Sequence, residues 1–330
     1  MYKEVSIKSP AKFFIAGEYA ITRPFSKALV LAVETNFTIS IKESHGKSRL
    51  TTNVGMEDYV FDFHDFQVDS GSPWNFTLQV LKNILENHKI AHDLQVEIII
   101  SSDLGYGENK KGYGSSASLV SGIVRAMNIF FDWKDERLFE YAAKAHRQIQ
   151  GSGSMGDVAS TLMGGTIEYM SPDNEMKGWQ IQVINFLKKF NLSVYAIETE
   201  KSVKTGEKLQ DLNLSDDFYI QSNATVAKLV EELSAEKLNF SMFKKLLNKN
   251  QQLLIHHLPT GYLIKEHQYA LSLIDSNPDW AGKISGAGFG ENIIFFSQNN
   301  EQLSQLKEKL ISQNMKLIEL KVAKVIHDRK

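Results

Sequence analysis

The segment KKGYGSSASLVSG, residues 110–122, constrains this chain more than any other. Gly112 and Gly114 flank Tyr113, and Ser115, Ser116, Ala117 and Ser118 follow at once. Beyond them Leu119, Val120, Ile123, Val124, Met127 and Phe130 recur at three- and four-residue spacings, which predicts an amphipathic helix starting near Ser115. A glycine turn running straight into a helix brings backbone N–H groups up to an anion, with the helix dipole behind them. Lys110 and Lys111 add positive charge, and the hydroxyl of Ser115 or Ser116 is placed to reach a phosphate-bound magnesium ion. The same residues also suit a serine N-cap on an ordinary core helix. The usual phosphate-loop pattern is not met, because Tyr113 stands where its lysine belongs, and the dinucleotide fingerprint is missing too. A nucleotide site here is therefore of another kind.

The rest of the chain is globular in character. At 330 residues it has room for about two domains of roughly 150 residues. Its net charge of −2 supplies no global field for nucleic acid or anionic lipid, so neither is expected as a partner. It has no cysteine, which excludes disulfides, thiolate nucleophiles and cysteine-bound zinc. The first 21 residues lack the layout of a signal peptide, and no apolar run approaches the ~18 residues of a membrane span, so a soluble cytoplasmic protein is expected.

The periodicities predict strands at 37–42, 94–102 and 191–199, and a helix at 135–150 capped by Asp135. SMGDVASTLM reads as a short helix and GGTIEYM as a turn and strand. Helices follow at 216–235, 239–256 and 261–276. The end reads strand, strand, helix, strand, with Ile318, Leu320 and Val322 alternating in the last, which suggests a small antiparallel sheet covered by helices.

Two more segments bear on function. SPAKFFIAGEYAI (9–21) puts Lys12 early in a strand-like run that ends in Gly-Glu, and KISGAGFGEN (283–292) is a second glycine-rich turn. Each alone suits a tight turn or bulge. Together with KKGYGSSAS they resemble, in order and spacing, the three motifs of the galactokinase–homoserine kinase–mevalonate kinase–phosphomevalonate kinase (GHMP kinase) superfamily. The resemblance runs from residue 8 to about 296. Tyr19 in GEYAI, the Lys-Lys before the second motif, and GSGSMGDVAS are most similar to the bacterial phosphomevalonate kinases. Tyr113 departs from a usual leucine, Phe289 from a usual glycine, and IETEKSVKTGEKL replaces an expected Gly-Trp-Thr segment. Phe289 is expected to make the third turn bulkier.

The resemblance implies an α+β, two-domain GHMP kinase fold. Residues 1–185 would be a ribosomal-protein-S5-like ATP-binding domain and 186–330 a ferredoxin-like α+β domain, acting as a monomer or homodimer. It implies ATP and Mg2+ as cofactors and phosphomevalonate as the acceptor, with mevalonate or another alcohol, or a catalytically silent ligand sensor, as alternatives. ATP would lie over the second motif, on Lys111, Gly112, Gly114, Ser115, Ser116, Ala117 and Ser118. Lys12 would be the catalytic cation. Asp157 would be catalytic and, with Ser116, a metal ligand, although Ser154 and Asp157 also fit a capping box. Lys12, Glu18, Tyr19, Ser154, Lys201, Ser285, Gly286, Ala287 and Gly288 would contact the acceptor, with Lys204 and Lys208 as further phosphate-binding candidates. A phosphate monoester is largely dianionic at pH 7, with a second pKa near ~6, so it needs charge screening more than a general base. His146, before Arg147 on a helix, is expected at the surface. Phe13, Phe14 and Phe37 are expected in the core, and the adjacent His256 and His257 are assigned no metal.

Overall fold

A computed structural model describes residues 3–105, 111–151, 153–199 and 212–326. The described elements, in chain order, are β1 (Glu4–Lys8), β2 (Ala11–Ala16), a 3-10 turn (Ala20–Thr22), β3 (Lys27–Val33), β4 (Thr38–Glu43), β5 (Ser48–Thr52), β6 (Tyr59–Phe61), α1 (Asn75–Leu85), β7 (Val96–Ser101), α2 (Ser115–Phe131), α3 (Leu138–Gln150), α4 (Gly156–Met163), β8 (Thr166–Met170), β9 (Gln180–Val183), β10 (Ser193–Glu198), α5 (Asp216–Ser234), α6 (Phe240–His257), α7 (Lys265–Asp275), β11 (Trp280–Ile284), β12 (Ile293–Ser297), α8 (Leu303–Ile311) and β13 (Lys316–Glu319). They fall into two compact units. The first holds the described parts of 3–12, 34–164 and 325–326, and the second those of 13–33 and 165–324.

In the first unit the described strands form a sheet in the order β1-β4-β7-β5-β6, antiparallel except for β5–β7. Val96, Ile98 and Ile100 of β7 are buried while their neighbours are half-exposed, the period-2 signature of a sheet with one covered face. The cover is α2, which packs on β1 and β4 and in turn carries α1, α3 and α4. Close approach explains Gly122: a Cβ there would lie 2.7 Å from Ile39 Cγ1. Buried hydroxyls fix the register of this helix. Ser9 Oγ donates to Ser118 O (2.6 Å), Ser118 Oγ donates to Pro10 O (2.7 Å), and Ser121 shares a hydrogen bond with Thr161 (2.8 Å).

Helix α3 begins at Leu138, three residues later than expected, because Asp135 is used elsewhere. Its carboxylate accepts from the backbone N–H and guanidinium of Arg137 and from Tyr141, and meets His88 Nε2 at 2.7 Å. The hydrogen bonds from Arg137 are the main reason its pKa sits far below the carboxylate range.

The second unit contains two sheets of described strands, ordered β2-β3-β8-β9 and β11-β12-β10-β13, the latter antiparallel throughout. The expected strand–strand–helix–strand ending is present as β11, β12, α8 and β13. Helices α5 and α6 start at side-chain caps, Ser215 accepting from Phe218 N–H and Asn239 from Met242 N–H. They help enclose a core of Phe218, Leu254, Tyr262, Ile274, Phe289 and Phe295. The alternation read into the last strand is offset: β13 lies at the sheet edge, and Ile318 is 37% exposed there.

Candidate functional site

The second motif folds as a turn whose last residue, Gly114, is left-handed (φ 80°, ψ 45°) and starts α2 with no side-chain cap. The serine cap is therefore absent: Ser115 and Ser116 are the first residues of the helix. Ser118 N–H makes the first intrahelical bond, to Gly114 O at 3.1 Å, so the amides of Ser115, Ser116 and Ala117 precede the helical ladder and have no acceptor in it. Lys111 is exposed at the mouth of the turn, beside Gly112. Ser118 differs from its expected role. It is fully buried and its hydroxyl is held by Pro10, so it anchors the helix rather than facing a ligand.

Lys12 comes to this turn directly. Its backbone N–H donates to Tyr113 O at 3.0 Å, and its side chain crosses Gly114 so closely that a Cβ there would lie 2.8 Å from Lys12 Cε and 2.9 Å from Cγ. Tyr113 itself is buried, so the ring that replaces the lysine of a phosphate loop packs inward.

Asp157 lies in the first turn of α4, but not in a capping box. The helix starts at Gly156 behind Met155, which is left-handed (φ 63°) and makes no side-chain cap bond. Ser154 Oγ accepts from Gly156 N–H at 3.4 Å, and Asp157 Oδ1 accepts from Val158 N–H at 2.9 Å. Asp157 Oδ2 turns toward His146, 3.9 Å from Nε2, and the same nitrogen is 3.1 Å from Ser116 Oγ. His146, expected at the surface, is 2% exposed. The sequence hid it because its helical face is set by α3 packing on α2 and α4 rather than by its neighbours in the chain.

A hydroxyl and a carboxylate thus both lie within 4 Å of one nitrogen, and both are hard-oxygen donors of the kind that suit Mg2+. Among the described residues no cluster of three or more His, Asp or Glu could hold a metal alone. An apolar cleft beside Ser115 and Ser116 is lined by Val54, Met56, Pro73, Trp74, Phe76 and Leu119. Leu119 was read only as part of the α2 stripe, and the others were not singled out in the sequence, where they lie in separate segments with no shared pattern. Phe13, Phe14 and Phe37 are buried, as expected.

In the second unit the end of the first motif meets the third. Tyr19 is left-handed (φ 63°), and its hydroxyl donates to Ala287 O at 2.5 Å. Burial, followed by the charges of Glu291 and Glu18, pushes its phenol well above the ordinary value. Glu18 is engaged inside the protein. One carboxylate oxygen pairs with Lys283, which is fully buried, and the other accepts from Asn250 Nδ2 at 3.2 Å. Its role here is to join the two motifs instead of reaching a substrate. Burial lowers the pKa of Lys283 and Glu18 opposes that shift.

Ala287 is likewise occupied: its carbonyl takes Tyr19 and its N–H donates to Glu291 Oε2 at 2.5 Å. The backbone of Ala287 therefore holds the turn, where the sequence suggested a substrate contact. Ser285 is 5% exposed, with its N–H on Asn292 O. Gly286 and Gly288 are left-handed, and a Cβ on Gly288 would strike the Tyr262 ring at 2.2 Å. Phe289 does not add bulk to the turn. Its ring is 1% exposed, edge-on to Tyr262. Lys201, Lys204 and Lys208, together with Lys110, lie outside the described residues.

This fold and these motifs define a class, the small-molecule kinases of the GHMP type. Residues 75–165 match the family profile described as GHMP kinases N terminal domain, and residues 227–317 match GHMP kinases C terminal. The chain belongs to the GHMP kinase family. It is 26% identical over 187 residues to the phosphomevalonate kinase of Streptomyces sp. (strain CL190), a match spanning 50% of this chain and 49% of that protein. The match thus covers about half the length of that curated relative.

Among solved structures it is similar to the Streptococcus pneumoniae phosphomevalonate kinase in complex with phosphomevalonate and AMPPNP (TM-score 0.76, 19% identity, 96% of this chain and 99% of that one). It is similar in the same degree to the Methanococcus jannaschii mevalonate kinase (TM-score 0.76, 21% identity, 97% and 98%). A Lin0012 protein from Listeria innocua superposes with a TM-score of 0.82 at 22% identity, covering 98% and 99%. No helix among the described residues is long and apolar enough to cross a membrane.

Proposed function

We propose that this chain is an ATP- and magnesium-dependent kinase that phosphorylates phosphomevalonate to diphosphomevalonate. The observation that carries the reading is the Lys12 side chain lying across Gly114 at the uncapped start of α2, with Ser116 and Asp157 gathered on His146 in the same unit. Phosphoryl transfer demands mainly positioning and charge neutralisation, and that set supplies both. The amides of Ser115, Ser116 and Ala117 and the charge of Lys111 hold the ATP phosphates, the apolar cleft beside them takes the base, and Lys12 screens the transferred group. Ser116 and Asp157 hold magnesium, which supplies neutralisation of the phosphate oxygens when bound.

An oxygen of the acceptor phosphate forms a bond to the γ-phosphorus as the bond to the bridging oxygen of ADP breaks. No proton has to leave the acceptor, because a phosphate monoester is already largely dianionic at pH 7. Asp157 therefore acts through the metal and through orientation. Tyr19, Ser154, Lys201, Ser285, Gly286 and Gly288 remain the proposed acceptor contacts.

A second reading, mevalonate or another alcohol as acceptor, is favoured by the equal likeness to a solved mevalonate kinase. ADP release measured side by side with phosphomevalonate and mevalonate decides between them. Turnover with phosphomevalonate alone supports the proposal, and turnover with mevalonate alone overturns it. ATP binding without ADP release for any acceptor would instead mark a silent, ligand-sensing member.

A further inference from the structure

We infer that His146 is a positioning residue for the magnesium–phosphate site, its imidazole fixing the Ser116 hydroxyl by donating from Nε2. The inference rests on the kinase reading above and deepens it. The ring is 2% exposed and lies 5.5 Å from that of Phe76, so its plane is held by packing. Its Nε2 has Ser116 Oγ at 3.1 Å and Asp157 Oδ2 at 3.9 Å. Its Nδ1 is buried with no hydrogen-bond partner among the described residues.

That asymmetry selects the tautomer. A buried N–H without an acceptor is rarer, and harder to accommodate, than a buried acceptor without a donor. The proton therefore sits on Nε2, and Nδ1 is bare.

The consequence falls on Ser116. A hydroxyl has one proton and two lone pairs. With one lone pair taken by His146 N–H, the other is left for a cation and the proton is left for a phosphate oxygen. Asp157 is then the carboxylate at this point. A histidine that served only the core could be replaced by leucine with little consequence for the ligand. One that orients a metal-binding hydroxyl could not, because such outer partners typically change metal affinity or activity by about 10–100-fold.

The test is calorimetric titration of ADP into the full chain with and without magnesium, for wild type, His146→Leu, His146→Gln and His146→Asn. Wild type is expected to gain affinity when magnesium is present. His146→Leu should lose about 10-fold or more of that gain while its magnesium-free affinity stays at the wild-type value. His146→Gln, whose amide N–H reaches the Nε2 position, should recover most of it. His146→Asn, too short to do so, should behave like leucine.

If the leucine variant does not fold, the contrast between glutamine and asparagine carries the test. A leucine variant that keeps the magnesium gain, or a glutamine variant that loses as much as the asparagine one, overturns the role of His146 alone. Absence of any magnesium gain in the wild type overturns the kinase reading, and this inference with it.

Discussion

Gly114→Ala separates what this position does for folding from what it does for Lys12. Gly114 is left-handed at φ 80°, and an alanine there carries a backbone cost of about 1–2 kcal/mol. The added methyl would also lie 2.8 Å from Lys12 Cε and 2.9 Å from Cγ, distances that side chains do not sustain. Lys12 has a flexible stem, so it moves aside, and the relief costs little further stability. The expected loss is about 1–2 kcal/mol, or a few degrees in Tm for a chain of this size.

The displaced ammonium is the larger effect. A shift of about 1 Å in a catalytic group costs on the order of 100-fold in rate. Gly151→Ala is the matched control, because Gly151 is also left-handed (φ 77°) but a Cβ there meets nothing within 4 Å. Calorimetric Tm and kcat in the ADP-release assay should show similar destabilisation for the two variants, with kcat collapsing only for Gly114→Ala. If the two lose activity alike, the passage of Lys12 over Gly114 has no part in catalysis and the reasoning fails.

Three further outcomes are expected. Asp157→Asn should slow turnover about 10–100-fold, and raising the pH should not restore it; recovery at high pH would return Asp157 to the role of a general base. Lys283→Met should destabilise the fold by about 3–5 kcal/mol in denaturant unfolding, since it leaves Glu18 charged and buried, and adding Glu18→Gln should recover most of the loss. Tyr19 has a folded-state pKa above its ordinary 10.0, so the native state holds that proton more tightly than the unfolded chain. Its contribution is therefore full below about pH 10 and lost as pH rises further. Tyr19→Phe should make the fall in stability above pH 10 shallower, and an unchanged slope would refute the assignment.

Much of this was legible because periodicity and punctuation act locally. The helix after Ser115, the strands around 37–42 and 94–102, and the closing strand–strand–helix–strand follow from spacing alone. The glycine turns were legible for the same reason, since a turn that needs glycine shows its glycines. What stayed hidden depends on contacts across the sequence. Asp135 looked like a cap and is an ion-pair hub. His146 looked like a surface residue and lies against Ser116, 30 positions earlier. Glu18 looked like a ligand contact, yet its partner Lys283 lies 265 residues away, beyond any local pattern. The apolar cleft joins five segments that share no period.

The capping rules fail in an informative way. Among the described helices and 3-10 turns, those entered from a positive-φ residue follow Tyr19 (φ 63°), Gly114 (φ 80°) and Met155 (φ 63°), each in a stretch assigned to the site. Helices α5 and α6, which carry no candidate residue, start at ordinary serine and asparagine caps. At α2 a side-chain cap would occupy a helix-start amide that an anion could otherwise take, so a site built on the amides of Ser115, Ser116 and Ala117 has to enter that helix another way.

Glycine makes that entry at little steric cost, but methionine does not, and neither does Phe289 (φ 55°) in the third turn. Both of those side chains are 1% exposed. Burying a Met or Phe side chain contributes about 1.5–3 kcal/mol, enough to offset a left-handed backbone at about 1–2 kcal/mol. These two residues therefore leave their turns in place, because the residue that introduces the strain also anchors it in the core.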